Sequence, residues 1–339
     1  MRLFSRRPVT AAYVYDREDL ALRDEDAPFL DQLNFSFALV REGAVSGAHW
    51  KSIDAYCAYI RRHPHILPVV SIGGWGADGF SPAAATPEGR ARFADTAVAL
   101  MEQYGFLGVD IDWEYPCRDE AGIAASPDDR ENFTLLLACL REKLDALTLK
   151  DGKPRLLAAA FGAHARLVGD VQCDKIGALL DQFNLMTYDL QSAYALSHLA
   201  PLYSGHPDFS NSADTALRAF VCAGIPKEKV MLGSAIYARL FTAADPLKNL
   251  PFAKATDRGA DAERYRDFIL QQGWQHHFDE TACAAYATRG AQFATYDSPR
   301  SIAAKGAYIR DNGLMGLMCW EYGSDFSGEL TRAMHESLR

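Results

Sequence analysis

Residues 107–116 read Leu-Gly-Val-Asp-Ile-Asp-Trp-Glu-Tyr-Pro, with carboxylates at every second position: Asp110, Asp112 and Glu114. A period of two puts all three on one face of a β-strand, neighbours roughly 6.6 Å apart along the chain. Val109, Ile111 and Trp113 take the other face, as in a strand covered by helices. Burial and mutual repulsion both disfavour ionisation, so at least one of the three acids is expected to keep a proton near neutral pH. A protonated carboxyl beside ionised ones is the equipment of general acid catalysis. Tyr115-Pro116 ends the strand, so the acids crowd toward its C-terminal end, where α/β proteins place their chemistry. A calcium loop would need a glycine and a distant final Glu that this run does not have.

Outward from this strand, short apolar runs recur at 11–15, 33–40, 66–72, 107–113, 156–161, 183–186, 230–236 and 314–320. Amphipathic stretches at 49–62, 88–104, 128–147, 213–223 and 299–312 alternate with them, several ending in glycine (Tyr104-Gly105, Ala223-Gly224, Asn312-Gly313). Eight strands alternating with helices predict an α/β fold, a (β/α)8 TIM barrel. The first helix and the connection after the fifth strand carry the weakest patterns. The segment 240–295 breaks the rhythm between the seventh strand and the last helix. It predicts a small insertion domain forming one wall of a cleft, with 1–239 and 296–339 as the barrel.

Composition narrows the function classes. Of 339 residues, 49 % are hydrophobic, enough for a full core, and the net charge of −9 argues against nucleic acid or an anionic membrane as partner. No apolar run is long enough to span a bilayer. The start, MRLFSRRPVT, has basic residues but no apolar signal segment. A cytoplasmic location, an unconventional export route and a trimmed leader all fit, so localisation stays unassigned, with action outside the cell compatible. A monomer is expected. The seven cysteines are scattered without a C-x-x-C pair and read as free thiols. His164, His198, His206, His276 and His277 show no metal-ligand spacing, so neither metal nor cofactor is expected.

Gly74-Trp-Gly-Ala-Asp-Gly79 matches G-x-G-x-x-G after a strand, but Phe80-Ser81-Pro82 follows where a helix should open, and two strands precede it. A dinucleotide site is therefore disfavoured. Read as Ser71-Ile72-Gly73-Gly74-Trp75, the segment is a strand end where glycines admit a close neighbour and Trp75 offers a flat apolar face. Tyr13, Phe35, Trp113, Tyr188, Tyr237 and Trp320 also fall at or near strand ends, and as a ring they suggest a carbohydrate groove. Met186-Thr187-Tyr188-Asp189 closes the sixth strand and Tyr237-Ala238-Arg239 the seventh, adding a carboxylate and a guanidinium to the same rim.

From about Tyr13 to Asp325 the chain resembles the glycoside hydrolase family 18 chitinases. The resemblance rests on residues 107–114 (the D-G-x-D-x-D-x-E strand), 71–74 (S-x-G-G), 186–189 (M-x-Y-D), Trp320 of the eighth strand, and FATYDSPRSIAA at 293–304. It implies hydrolysis of β-1,4 links in chitin or chitooligosaccharides with net retention. Glu114 would be general acid and then base, and the substrate's own acetamido oxygen the nucleophile. It further implies that Asp112 shares a proton with Asp110 and then holds the acetamido N–H. Tyr188 would bond the acetamido oxygen, and Asp189 would position that group. Trp320 would floor the −1 subsite, and Trp75 and Arg239 would line the groove. Leu107 replaces the motif's leading Asp and Ala238 the usual glycine of Y-G-R. A chitin-binding lectin of the same fold and an endo-β-N-acetylglucosaminidase are the rivals; Glu114 and the insertion speak against them respectively.

Overall fold

The computed structural model describes residues 7–192, 195–205, 210–242 and 261–339. His206 and residues 243–260 of the insertion lie outside them. All eight apolar runs are strands. In chain order they are β1 (Val9–Tyr15), β2 (Gln32–Arg41) with its short antiparallel return β3 (Ala44–Ser46), β4 (Leu67–Gly73), β5 (Gly108–Asp112), β6 (Leu156–Gly162), β7 (Gln182–Met186) and β8 (Val230–Ala235). After the insertion strands β9 (Tyr237–Thr242), β10 (Asp261–Arg264), β11 (Gln275–Asp279), β12 (Ala284–Arg289) and β13 (Gln292–Tyr296) comes β14 (Gly316–Trp320). The ring runs β1-β14-β8-β7-β6-β5-β4-β2 in parallel pairs and closes through β1–β2. The fold is a (β/α)8 barrel.

Helices cover the outside, and their ends follow local chemistry. Pro87–Tyr104 starts on Thr86, whose side chain accepts from the Gly89 N–H, and stops at Gly105 in the left-handed region. Pro299–Asn312 has a capping box between Ser298 and Ser301 and stops at Gly313. The helix expected from residue 49 begins only at Ile53, and just ahead of it Asp16 accepts from the backbone N–H groups of Lys51 and Ser52. After β6 the chain forms only a 3-10 turn, Ala165–Asp170, and a short helix, Cys173–Leu179.

Alternation along the strands divides the core in two. Outward side chains such as Val109, Ile111, Leu157, Phe183 and Leu232 pack under the helices. Inward ones are mixed. Ala11, Met231 and Met318 share the interior with fully buried Gln32, Asn34, Ser71, Asp110, Gln182 and Asn184. Most buried polar groups are hydrogen-bonded; here Gln32 donates to Asn34 and Gln182 to Asn184, each at 2.8 Å.

The insertion strands form an antiparallel sheet in the order β10-β9-β13-β12-β11, which begins at Tyr237 and ends at Tyr296, slightly wider than 240–295. Its return to the barrel is fixed by Asp297, which accepts from Ser234 Oγ, the Ala235 N–H, Ser301 Oγ and the buried Lys305 ammonium at 2.6 Å. Removing one partner of such a buried pair costs about 3–5 kcal/mol.

Candidate active site

The three acids of the opening motif lie at the C-terminal mouth of the barrel, and each has a different environment. Asp110 is completely buried. Its Oδ2 accepts from Tyr13 Oη at 2.8 Å and Ser71 Oγ at 2.7 Å, and its Oδ1 from Asn184 Nδ2 at 3.0 Å. Burial raises its pKa and these donors oppose the rise. Asp112 is also buried, but among the described residues its Oδ1 has no hydrogen-bond partner. Burial, then repulsion from Glu114 and Asp110, drives its pKa well up. Glu114, past the strand end, opens onto the cavity, and its pKa rises to about 7, mainly through burial, with Tyr115 opposing and Asp189 adding to the rise.

The glycines of Ser71-Ile72-Gly73-Gly74 allow this packing. A Cβ on Gly73 would stand 2.1 Å from the Asp112 carbonyl oxygen, and one on Gly74 2.6 Å from the Phe37 ring, both at positive φ. The close neighbours these glycines admit are the acid-bearing strand at Gly73 and the Phe37 ring at Gly74.

A cavity of about 630 Å³ opens over the acids, in the size range of small-ligand sites. Tyr13, Trp75, Asp112, Glu114, Met186, Tyr188, Asp189, Arg239 and Trp320 all line it. Trp320 stacks on Phe37 with centroids 5.4 Å apart and planes at 20°. It tilts against Tyr13 at 5.9 Å. Trp75, 64 % exposed, meets Tyr115 edge-on. Arg239 donates from Nε and Nη2 to Asp189 Oδ1 at 3.1 and 3.0 Å. Tyr237 is buried beneath, under the Arg239 guanidinium and edge-on to Tyr188. Leu107 and Ala238, the two departures from the family motifs, do not line the cavity.

Three residues expected in the groove do not line the cavity: Tyr237, buried beneath Arg239, and two aromatic side chains on the outer face of the barrel. Trp113 is 2 % exposed, stacked on Phe80 at 5.3 Å and edge-on to Phe133. It shares the outward face of Val109 and Ile111, so it belongs to the barrel–helix core. Phe35 is fully buried against Trp50 and Tyr56, again on the outer face. A register shift between Ser36 and Ala38 breaks the alternation of β2, and Phe37 instead reaches the cavity.

Phe37, Tyr115, Glu120, His164, Arg166 and Gln191, which no motif marks for the cavity, line it too. Tyr115 was legible as the neighbour of Glu114. The others sit in loops or at a strand irregularity, where no periodicity marks them. Among the described residues no cluster of three His, Cys, Asp or Glu side chains is disposed to hold a metal ion.

Comparison with known proteins decides the kinship. The family model "Glycosyl hydrolases family 18" matches residues 9–325. The chain belongs to glycosyl hydrolase family 18. Within that family it is similar to Chitinase A1 of Niallia circulans, 34 % identical over 82 % of this chain and 43 % of that protein. It is also similar to a class V chitinase of Arabidopsis thaliana, 28 % identical over 97 % of this chain and 89 % of the relative. This chain thus spans less than half the length of Chitinase A1 and most of the plant enzyme. A solved family 18 N-acetylglucosaminidase from Paenibacillus barengoltzii superimposes with a TM-score of 0.93 at 36 % identity, covering 97 % of this chain and 99 % of that one.

Proposed function

We propose that this protein is a retaining, substrate-assisted hydrolase of β-1,4 bonds between N-acetylglucosamine units of chitin or chitooligosaccharides. The observation that carries the reading is Glu114. It is a carboxyl with a pKa raised to about 7, opening onto a cavity whose opposite side is the Trp320 ring. A general acid works best with a pKa near the working pH.

The −1 sugar lies on Trp320, placing its glycosidic oxygen at Glu114. Glu114 gives its proton to that oxygen as the C1–O bond breaks. The electrons to replace that bond come from the substrate's acetamido oxygen, which attacks C1 and forms an oxazolinium ion. An enzyme nucleophile is disfavoured because Asp189 is engaged by Arg239 and Asp112 is sunk with its pKa well raised. Asp112 accepts the acetamido N–H as positive charge develops, and Tyr188 bonds the acetamido oxygen. Glu114, now ionised, takes a proton from water, which attacks C1 and reopens the ring with retained configuration. The acetamido requirement makes cellulose and starch poor substrates.

The test is turnover of a fluorogenic N-acetyl-chitobioside beside the matching cellobioside. Hydrolysis of the first alone is expected. Cleavage of both at similar rates would remove the acetamido group from the mechanism, and tight chitooligosaccharide binding without turnover would make the protein a lectin.

A further inference from the structure

Beyond the acid, away from Trp320, the cavity wall carries a charged pair beside the rings of Tyr115 and Trp75. Trp320 ends β14, and the ring order puts β5 diametrically across the barrel from it. The loops that follow β5 and β6 therefore flank the side of Glu114 that faces away from the −1 sugar. In the reaction proposed above, that side belongs to the leaving group. Two side chains of these loops, Glu120 and Arg166, line the cavity there together with the half-buried His164 and Gln191.

Glu120 and Arg166 form a bidentate ion pair. Arg166 grips both carboxylate oxygens of Glu120, Nη1 to Oε1 at 2.8 Å and Nη2 to Oε2 at 3.0 Å. Arg118 supports them from behind, donating Nη1 to Glu120 Oε1 at 3.1 Å while also pairing with Asp170. The four side chains tie residues 118–120 to residues 166–170. Arg118 and Asp170 are the more sheltered pair, with side chains 24 % and 19 % exposed, whereas Glu120 and Arg166 stand out at 42 % and 48 %. The outer pair keeps donor and acceptor capacity toward the cavity beyond what their mutual bonds use.

We infer that Glu120 and Arg166 form a polar clamp for the sugar on the leaving-group side, reading its hydroxyl and acetamido groups and so setting how well oligosaccharides are cleaved. The inference rests on the chitooligosaccharide reading above. A bidentate guanidinium–carboxylate pair offers donors and acceptors side by side, which suits vicinal sugar hydroxyls and not a flat aromatic aglycone.

The experiment compares kcat/KM for chitotetraose with that for 4-methylumbelliferyl chitobioside in the unmodified protein, Arg166→Ala and Glu120→Gln. The first substrate leaves as a sugar, the second as an aromatic alcohol. Melting curves for all three proteins report folding, and Glu120→Gln conserves side-chain volume where Arg166→Ala does not. The tetraose-to-aglycone ratio is expected to fall at least fivefold in both variants, mainly through KM. An unchanged ratio in folded variants that still turn over both substrates would overturn the clamp and leave the chitinase reading standing. No turnover of either substrate by the unmodified protein would overturn the chitinase reading and the clamp with it.

Discussion

Asp110 and Asp112 lie two residues apart on one inward face, yet the first carboxylate accepts three hydrogen bonds while Oδ1 of the second has none among the described residues. Asp110 is therefore fixed by Tyr13, Ser71 and Asn184, and Asp112 is the acid left with bonding capacity beside Glu114. A buried acceptor without a partner costs roughly 1–3 kcal/mol. A substrate N–H arriving at Asp112 would offset that cost when the acetamido group turns toward C1.

Asp112→Asn should accordingly lower kcat by about 10²- to 10³-fold, the range for losing one preorganised group aimed at developing charge. KM should move far less. Steady-state kinetics on a fluorogenic chitobioside separate the two parameters, and a pure KM effect would assign Asp112 to ground-state binding.

The pH profile follows from Glu114. As an acid it must be protonated, so kcat/KM should fall as pH rises through about 7, its raised pKa. Asp189 contributes to that rise by repulsion. Asp189→Asn should therefore shift the alkaline limb to lower pH, and a shift upward would mean that Asp189 acts through Arg239 instead.

The same group makes stability depend on pH. Glu114's folded pKa of about 7 lies above its ordinary 4.5, so the native state holds the proton more tightly than the unfolded chain. Its stabilising contribution is complete below pH 4.5 and is lost as pH rises through 7. At pH 8 Glu114→Gln should be more stable than the unmodified protein by up to about 3 kcal/mol, with a correspondingly higher melting temperature. The two proteins should converge near pH 4.5, which thermal unfolding at both values would check.

Phe35 and Phe37 separate packing from binding. Phe35→Ala should cost about 3–5 kcal/mol of stability, the range for emptying a buried phenylalanine site. Phe37→Ala removes the ring under Trp320 and should mainly raise KM, by about tenfold, with a smaller melting shift. Thermal denaturation and kinetics on both variants would reverse this assignment if the effects were exchanged.

These two phenylalanines also mark how far the sequence could be read. The barrel was legible because its eight apolar runs obey one rule, burial on the outer face, and the acids were legible because they break it on the inner face. Trp113 lies on the outer face by the same alternation that puts the acids inside, so its position at a strand end did not make it a groove residue. Phe37 was hidden by the irregularity at Ser36–Ala38, since a one-residue slip reverses which side chain faces the mouth. Glu120, His164 and Arg166 stand in connections with no hydrophobic period at all. Only the folded barrel brings them together.

The account depends most on Glu114 delivering the proton. Chitotetraose hydrolysis by Glu114→Gln, with ligand binding measured in parallel, tests it most directly. The expected result is a loss of at least ~10³-fold in kcat with binding retained. Turnover equal to that of the unmodified protein would contradict the account.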